Sequence, residues 1–287
     1  MREFSYEEVE AATGGFAAEN LVGKGSHGSV YKARLKGGAV VAVKRASHAQ
    51  GEAKLANEIA VLAAAAGEKN DGVVRLVGVV AAEKGKGERM LVMEYMANGS
   101  LHDLLHGTPP PWRRRVEIAL DVAEAVRGLH DGEPRVIHRD VKSANVLLAR
   151  DGRARLADFS LAVTVVSDGG DGEEESPAPA GTIGYLDPSY TEAGRLGPES
   201  DVFSLGVVLL ELVSGRKVMD VAASPSSIVA WALPLLAAGN ARKVFDGRIP
   251  APRRGAAAER ARGKDRCQLF MVRTEDSNLK DKMHLLK

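Results

Sequence analysis

Apolar and polar positions alternate through the first third of the chain, and recur at helical spacing through most of the rest. Residues 1–20, built on FSYEEVEAATGGF, predict a short helical lead-in. From Leu21 to Val43 the period is two: LVGKGSHGSVYKARL, a Gly-Gly turn at 37–38, then AVVAVK with its β-branched residues. Glu52 to Ala66 is rich in alanine, with Leu55, Ile59 and Leu62 on one helical face. VVRLVGVVAAE and RMLVMEY read as two more strands joined by the turn-like EKGKGE. LHDLLHG predicts a helix capped by Ser100, and Trp112 to His130 a long amphipathic one. The longest apolar run, Val202 to Val213, is interrupted by Ser204 and Glu211 and is too short to cross a bilayer, so a buried helix is expected there. Residues 164–180, TVVSDGGDGEEESPAPA, are acidic and rich in Gly and Pro, the composition of a flexible loop. A strand-rich beginning and a helical remainder predict two lobes joined near Met93 to Met96, without internal repeats.

Composition narrows the picture little. The 287 residues, 45% hydrophobic, suffice for one large domain or two lobes with a sizeable core. A net charge of +1 gives no electrostatic case for nucleic acid. Cys267 is the only cysteine, so no disulfide forms within the chain and the reducing cytosol is the natural compartment. The opening MREFSYEEVEAATGGF is charged and polar, unlike a signal peptide. The seven histidines are scattered with no metal-ligand spacing, and all but one read as ordinary surface or core residues.

The candidate chemistry begins at Gly23-x-Gly25-x-x-Gly28-x-Val30, set between two strands. Glycines there let backbone amides approach phosphates, although a plain glycine hairpin has the same spacing. A strand follows, SVYKARL, where a dinucleotide-binding turn would need a helix. Lys44 ends the next strand, and Glu58 lies on the helix after it, which fits a lysine that holds ATP phosphates and is positioned by a carboxylate. The strongest signal is His138-Arg139-Asp140-x-Lys142-x-x-Asn145, followed by Asp158-Phe159-Ser160. Asp140 would accept or steer the proton of an attacking hydroxyl, and Lys142 would neutralise the transferring phosphate. Asn145 and Asp158 would hold Mg²⁺, with Mn²⁺ as the alternative ion, through oxygen ligands.

On these motifs, with GTIGYLDPSY and SDVFSLGVVLLELVSGRK, the chain resembles a plant receptor-like serine/threonine kinase catalytic domain over about residues 4–250, nearest to the crinkly-type branch. The resemblance implies an α+β fold: a bilobal kinase with an antiparallel β-sheet N-lobe carrying one main helix, and a mostly α-helical C-lobe. It places an extension at 1–17, the kinase domain at 18–262 (N-lobe about 18–93, C-lobe about 97–262 and incomplete at its end) and a divergent polar tail at 263–287. It implies that Val30, Ala42 and Leu147 sandwich the adenine, that Glu94 and Met96 offer hinge hydrogen bonds, and that Met93 is the gatekeeper. Leu62, Leu76, His138 and Phe159 would stack in a column, Asp201 would fix the HRD turn, and Arg139 would pair with phosphate on the 158–190 segment at Ser167, Ser176 or Thr182. The expected partners are ATP, protein substrates with Ser or Thr, and other receptor-like kinases, at a cytoplasmic location or at the plasma membrane within a receptor complex.

Three departures from the family pattern stand out. Ser160 takes the place of a glycine, which predicts altered loop switching rather than lost chemistry. Ser189 of Asp187-Pro188-Ser189 replaces a glutamate, and with the sequence after Arg262 unlike closing kinase helices, neither partner of a family ion pair is recognisable. The 112–130 and 202–213 helices would then lose cover. The competing function is a catalytically impaired kinase-fold scaffold that binds nucleotide or partner kinases. An unrelated nucleotide-binding protein would require the HRD and DFS runs to be coincidence.

Overall fold

The computed structural model describes residues 1–25, 28–65, 71–81, 88–165, 178–193 and 196–251. Ser167, Ser176, most of the acidic loop, Cys267 and the polar tail lie outside the described residues. Contacts divide the chain into two compact units, one from residues 1–99, 127–139 and 147–171, the other from 100–126, 140–146 and the described part of 172–287.

The first unit is built on a six-stranded sheet in the order β1-β5-β6-β4-β3-β2. Its strands are β1 (Arg2–Phe4), β2 (Leu21–Lys24), β3 (Gly28–Arg34), β4 (Val40–Ala46), β5 (Leu76–Val80) and β6 (Met90–Glu94). All neighbours pair antiparallel except β1, which joins β5 in parallel with Arg2 opposite Gly78. The lead-in is therefore a strand before it is a helix: β1 precedes α1 (Tyr6–Ala12). Three residues are too few to show an alternation, and the pairing depends on Gly78, where any Cβ would strike the Arg2 carbonyl. Phe4, Val9, Val43, Met90 and Val92 bury together as the core beneath this edge. Ser5 caps α1, its hydroxyl accepting the Glu8 N–H at 3.1 Å. The long helix α2 (Ala49–Ala65) packs on β4, β5 and β6.

Among the described residues, helices dominate the second unit. Ser100 caps α3 (Leu101–His106) by accepting the Asp103 N–H, as its position predicts. α4 spans Trp112–Asp131. Two small ladders follow in the chain, β7 (Arg135–Ile137) with β10 (Val163–Val165) and β8 (Val146–Leu148) with β9 (Ala154–Leu156), and all their residues but Val146 count with the first unit. Then come α5 (Pro188–Ala193), α6 (Pro198–Ser214) and α7 (Ile228–Ala237). α6 is the buried helix expected from the apolar run: Val207, Val208 and Leu212 are buried, while Leu209, Leu210 and Val213 stay part-exposed and Val202 faces solvent.

An ion pair that the sequence reading lacked ties this unit together. Arg115 on α4 is buried and donates to Asp246 at 2.6 Å, to the Leu212 carbonyl at 2.7 Å and to the Pro110 carbonyl at 2.9 Å. Burial pushes the guanidinium's pKa down. Burial also acts to raise the Asp246 pKa, but Arg248 and Arg115 outweigh it and hold that carboxyl well below the usual range.

Candidate active site

In the first unit, β4 delivers Lys44 beneath β3, opposite Val30. Its ammonium donates to Glu58 on α2 at 2.6 Å and to Asp158, two residues past β9, at 2.8 Å. Burial alone would push Lys44 down, yet the Glu58 and Asp158 carboxylates raise it, so it stays charged. Burial likewise works against the Asp158 charge, but Lys44 and a hydrogen bond from Ser160 hold its pKa well below the usual carboxylate range. Glu58 is fully buried, and burial raises its pKa despite Lys44. It also accepts the Phe159 N–H at 3.2 Å, which joins α2 to the DFS run.

Phe159 is completely buried and meets the His138 ring edge-on, centroids 4.6 Å apart. His138 Nε2 lies 3.1 Å from the Ala157 carbonyl, a packing and anchoring role. Leu62 is buried and Leu76 half-buried. Backbone strain sits at Arg139 (φ 68°) and Asp158 (φ 63°), both in the left-handed region that non-glycine residues seldom occupy. Ser160 is not among the residues with positive φ, so in this conformation it needs none of glycine's freedom. Toward the proposed adenine side, Ala42 is buried and Val30 and Leu147 are half-buried. Met93 and Met96 are both buried. The Glu94 N–H is spent on the Arg75 carbonyl at 3.0 Å, and its side chain holds Arg155 and accepts the Arg75 N–H.

Glu58 has a neighbour that the sequence reading missed. Asn57 Nδ2 donates to the Ala162 carbonyl at 2.9 Å and lies 3.4 Å from those of Phe159 and Ser160. A polar residue on an Ala-rich helix gives no local hint of this role.

In the second unit, Asp140 is buried and surrounded by donors. Lys142 Nζ donates to its Oδ2 at 2.7 Å, the Thr182 hydroxyl to its Oδ1 at 2.6 Å, and Asn145 Nδ2 to its Oδ2 at 3.0 Å and its backbone carbonyl at 2.9 Å. Lys142 also donates to the Thr182 hydroxyl at 2.8 Å. With its amide nitrogen spent on Asp140, Asn145 keeps its amide oxygen for another partner; in the first unit, Asp158 is held as a carboxylate with part of its surface exposed. Both are hard oxygen donors of the kind Mg²⁺ takes.

Glu211, which the sequence reading treated as a mere interruption of an apolar run, anchors this loop. It is buried, accepts the Ser143 hydroxyl at 3.0 Å and the Tyr185 hydroxyl at 2.6 Å, and burial and its charge push the tyrosine's pKa up. Asp201 is also fully buried on α6. The histidines are not all scattered: His102 and His106, one turn apart on α3, lie beside Glu211.

The protein kinase domain family matches residues 16–230 of the chain. The chain belongs to the protein kinase family. Two Arabidopsis thaliana proteins named as serine/threonine-protein kinase-like are 45% and 44% identical over 88% and 87% of the chain, which spans 70% and 55% of their lengths. A proline-rich receptor-like protein kinase of the same plant is 42% identical over 81% of the chain, which spans 33% of it. Kinase-like and receptor-like names both occur among these relatives, so they single out no branch.

In this kinase the Asp187-Pro188-Ser189 departure falls at the start of α5, where Ser189 is exposed and its N–H donates to Asp187 at 2.9 Å. Of the three hydroxyls considered for phosphorylation, only Thr182 is described, and it is engaged by Asp140 and Lys142. Among the described residues no helix is long and apolar enough to cross a membrane.

Proposed function

We propose that this chain is an active serine/threonine protein kinase in which Asp140, Lys142, Lys44 and Glu58 carry the chemistry. The observation that supports this most directly is the Thr182 hydroxyl, which donates to Asp140 at 2.6 Å with the Lys142 ammonium 2.8 Å away. A carboxylate already able to receive an aliphatic hydroxyl, with a cation beside it, is suited to orient a substrate serine or threonine and take its proton. The relatives named as serine/threonine-protein kinase-like fit the same class of reaction.

When bound, ATP supplies the phosphoryl group, and Mg²⁺ or Mn²⁺ offsets the charge that develops on it. The chain's own residues do the positioning. Lys44, kept charged by two carboxylates, holds the phosphates. Gly23, Gly25 and Gly28 bring backbone amides near them. Val30, Ala42 and Leu147 bracket the adenine, with Glu94 and Met96 along its edge. Asn145 and Asp158 are the metal donors. Catalysis on this reading is positioning and charge stabilisation, with no covalent intermediate. A setting in receptor-like kinase signalling, in the cytoplasm or at the plasma membrane with other receptor-like kinases, extends from the relatives' names.

The test is autophosphorylation of the purified chain with Mg-ATP, read by intact mass beside Asp140→Asn. Added phosphate in the wild type alone supports the reading. A cooperatively melting chain that binds ATP and gains no phosphate would establish the scaffold alternative instead.

A further inference from the structure

We infer that His102, His106 and Glu211 form a binding site for a divalent transition metal of the zinc type, separate from the proposed Mg²⁺ donors. One ligand atom from each residue lies within 4.8 Å of the other two. His102 and His106 stand one turn apart on α3, so their rings project from the same helical face, with centroids 4.5 Å apart. Ser100 fixes the start of that short helix through its cap and a 2.6 Å bond to Asp103.

Two further observations point to a ligand. His106 Nε2 is shielded from solvent and has no hydrogen-bond partner among the described residues. It faces Glu211 Oε1 at 3.9 Å, too far for a hydrogen bond. Two atoms bound tetrahedrally to one zinc ion at 2.0–2.2 Å stand about 3.4 Å apart, so the His106–Glu211 pair must draw in by about 0.5 Å and no pair by more than about 1.4 Å for the ion to be held. The carboxylate is oriented from behind, because Tyr185 holds Oε2 at 2.6 Å, as outer partners commonly orient metal ligands. Ser143 donates to Oε1 at 3.0 Å and must share or yield that oxygen. Two imidazoles and one carboxylate suit zinc and disfavour Mg²⁺, which prefers oxygen alone. Three protein ligands leave a fourth position for water, and partly exposed His102 and His106 provide the approach.

The test uses the full chain carrying Cys267→Ser, stripped with EDTA and titrated calorimetrically with zinc chloride. One equivalent should bind in the micromolar range and raise the melting temperature, and millimolar Mg²⁺ should not displace it. Cobalt(II) should give the visible bands of a four-coordinate N/O site. His102→Ala and His102→Gln should each weaken zinc binding at least about tenfold, the scale on which even outer-shell losses act. Both alter a partly exposed side chain, so the fold is retained. If the His102 variants bind zinc as tightly as the parent, or the parent binds none, the site is overturned.

Discussion

Asn57 and Ala162 are joined by a 2.9 Å hydrogen bond, so the residue beside Glu58 on α2 grips the backbone just beyond the DFS run. The same amide lies 3.4 Å from the carbonyls of Phe159 and Ser160. The next residue, Glu58, holds Lys44 and the Phe159 N–H. The placement of α2 and the course of the chain after Asp158 are thereby one arrangement.

Replacing the amide should therefore disturb nucleotide handling and stability together. Asn57→Leu removes the donor and leaves a carbonyl unmet, at a cost of about 1–3 kcal/mol. Asn57→Asp keeps the shape but turns an acceptor toward three carbonyls, and should be the worse of the two despite being smaller in its change of volume. Thermal melts and the KM for ATP check this. Equal behaviour of the two variants would reduce Asn57 to a space-filler.

Ser160 should be nearly interchangeable with glycine. Its φ is not positive, and the strained angle belongs to Asp158. Ser160→Gly gives up the hydroxyl that helps hold the Asp158 charge and adds backbone freedom to the unfolded chain. The bond to a charged but partly exposed carboxylate is worth about 1.5 kcal/mol, and the backbone effect about 0.5–1 kcal/mol. Phosphorylation rates of the two proteins should agree within about tenfold, the factor that 1.4 kcal/mol sets. A large gain on restoring glycine would mean that a different loop conformation is the active one.

The Arg115–Asp246 pair should govern stability in the second unit. Both side chains are only 2% exposed, so Asp246→Asn strands a buried guanidinium and should cost about 3–5 kcal/mol. Arg248 also bonds Asp246 but is 42% exposed, so Arg248→Ala should cost at most about 1 kcal/mol. The sign with pH follows from the depressed Asp246 pKa. Its stabilisation is present above the unfolded value of about 3.9 and is lost as pH falls below it toward the folded value. Urea midpoints between pH 6 and 3 should drop for the wild type, and less steeply for Asp246→Asn.

How far the sequence revealed this molecule depended on whether a signal was local. Lys44, Glu58, Asp140, Asn145 and Asp158 sit in runs whose spacing carries their meaning. The strands around Lys44 and the helix of Glu58 have clear periods. Glu211 did not announce itself, because its partners Ser143 and Tyr185 lie 68 and 26 residues away. Asn57 reaches across about a hundred residues. β1 was hidden because three residues show no period and its partner is a glycine whose missing side chain is the point of contact.

The glycines of the Gly23-x-Gly25-x-x-Gly28 run should separate into two kinds. A Cβ on Gly28 would stand 2.5 Å from the Arg45 carbonyl, inside the β3–β4 ladder. Among the described residues, a Cβ on Gly25 would meet the Gly28 carbonyl at 3.9 Å, and one on Gly23 would meet Val30 at 3.8 Å, ordinary contacts. Gly28→Ala must therefore push two backbones apart, costing about 1–3 kcal/mol of stability. Gly25→Ala meets no such obstacle, and its melt should match the wild type within about 0.5 kcal/mol. If the backbone at Gly25 comes close to phosphate, the added methyl should still weaken ATP binding. Melting curves and ATP titrations on the two variants decide it. A Gly25→Ala chain that melts and binds ATP like the wild type would leave these glycines a hairpin device alone, and would remove the phosphate role assigned to them here.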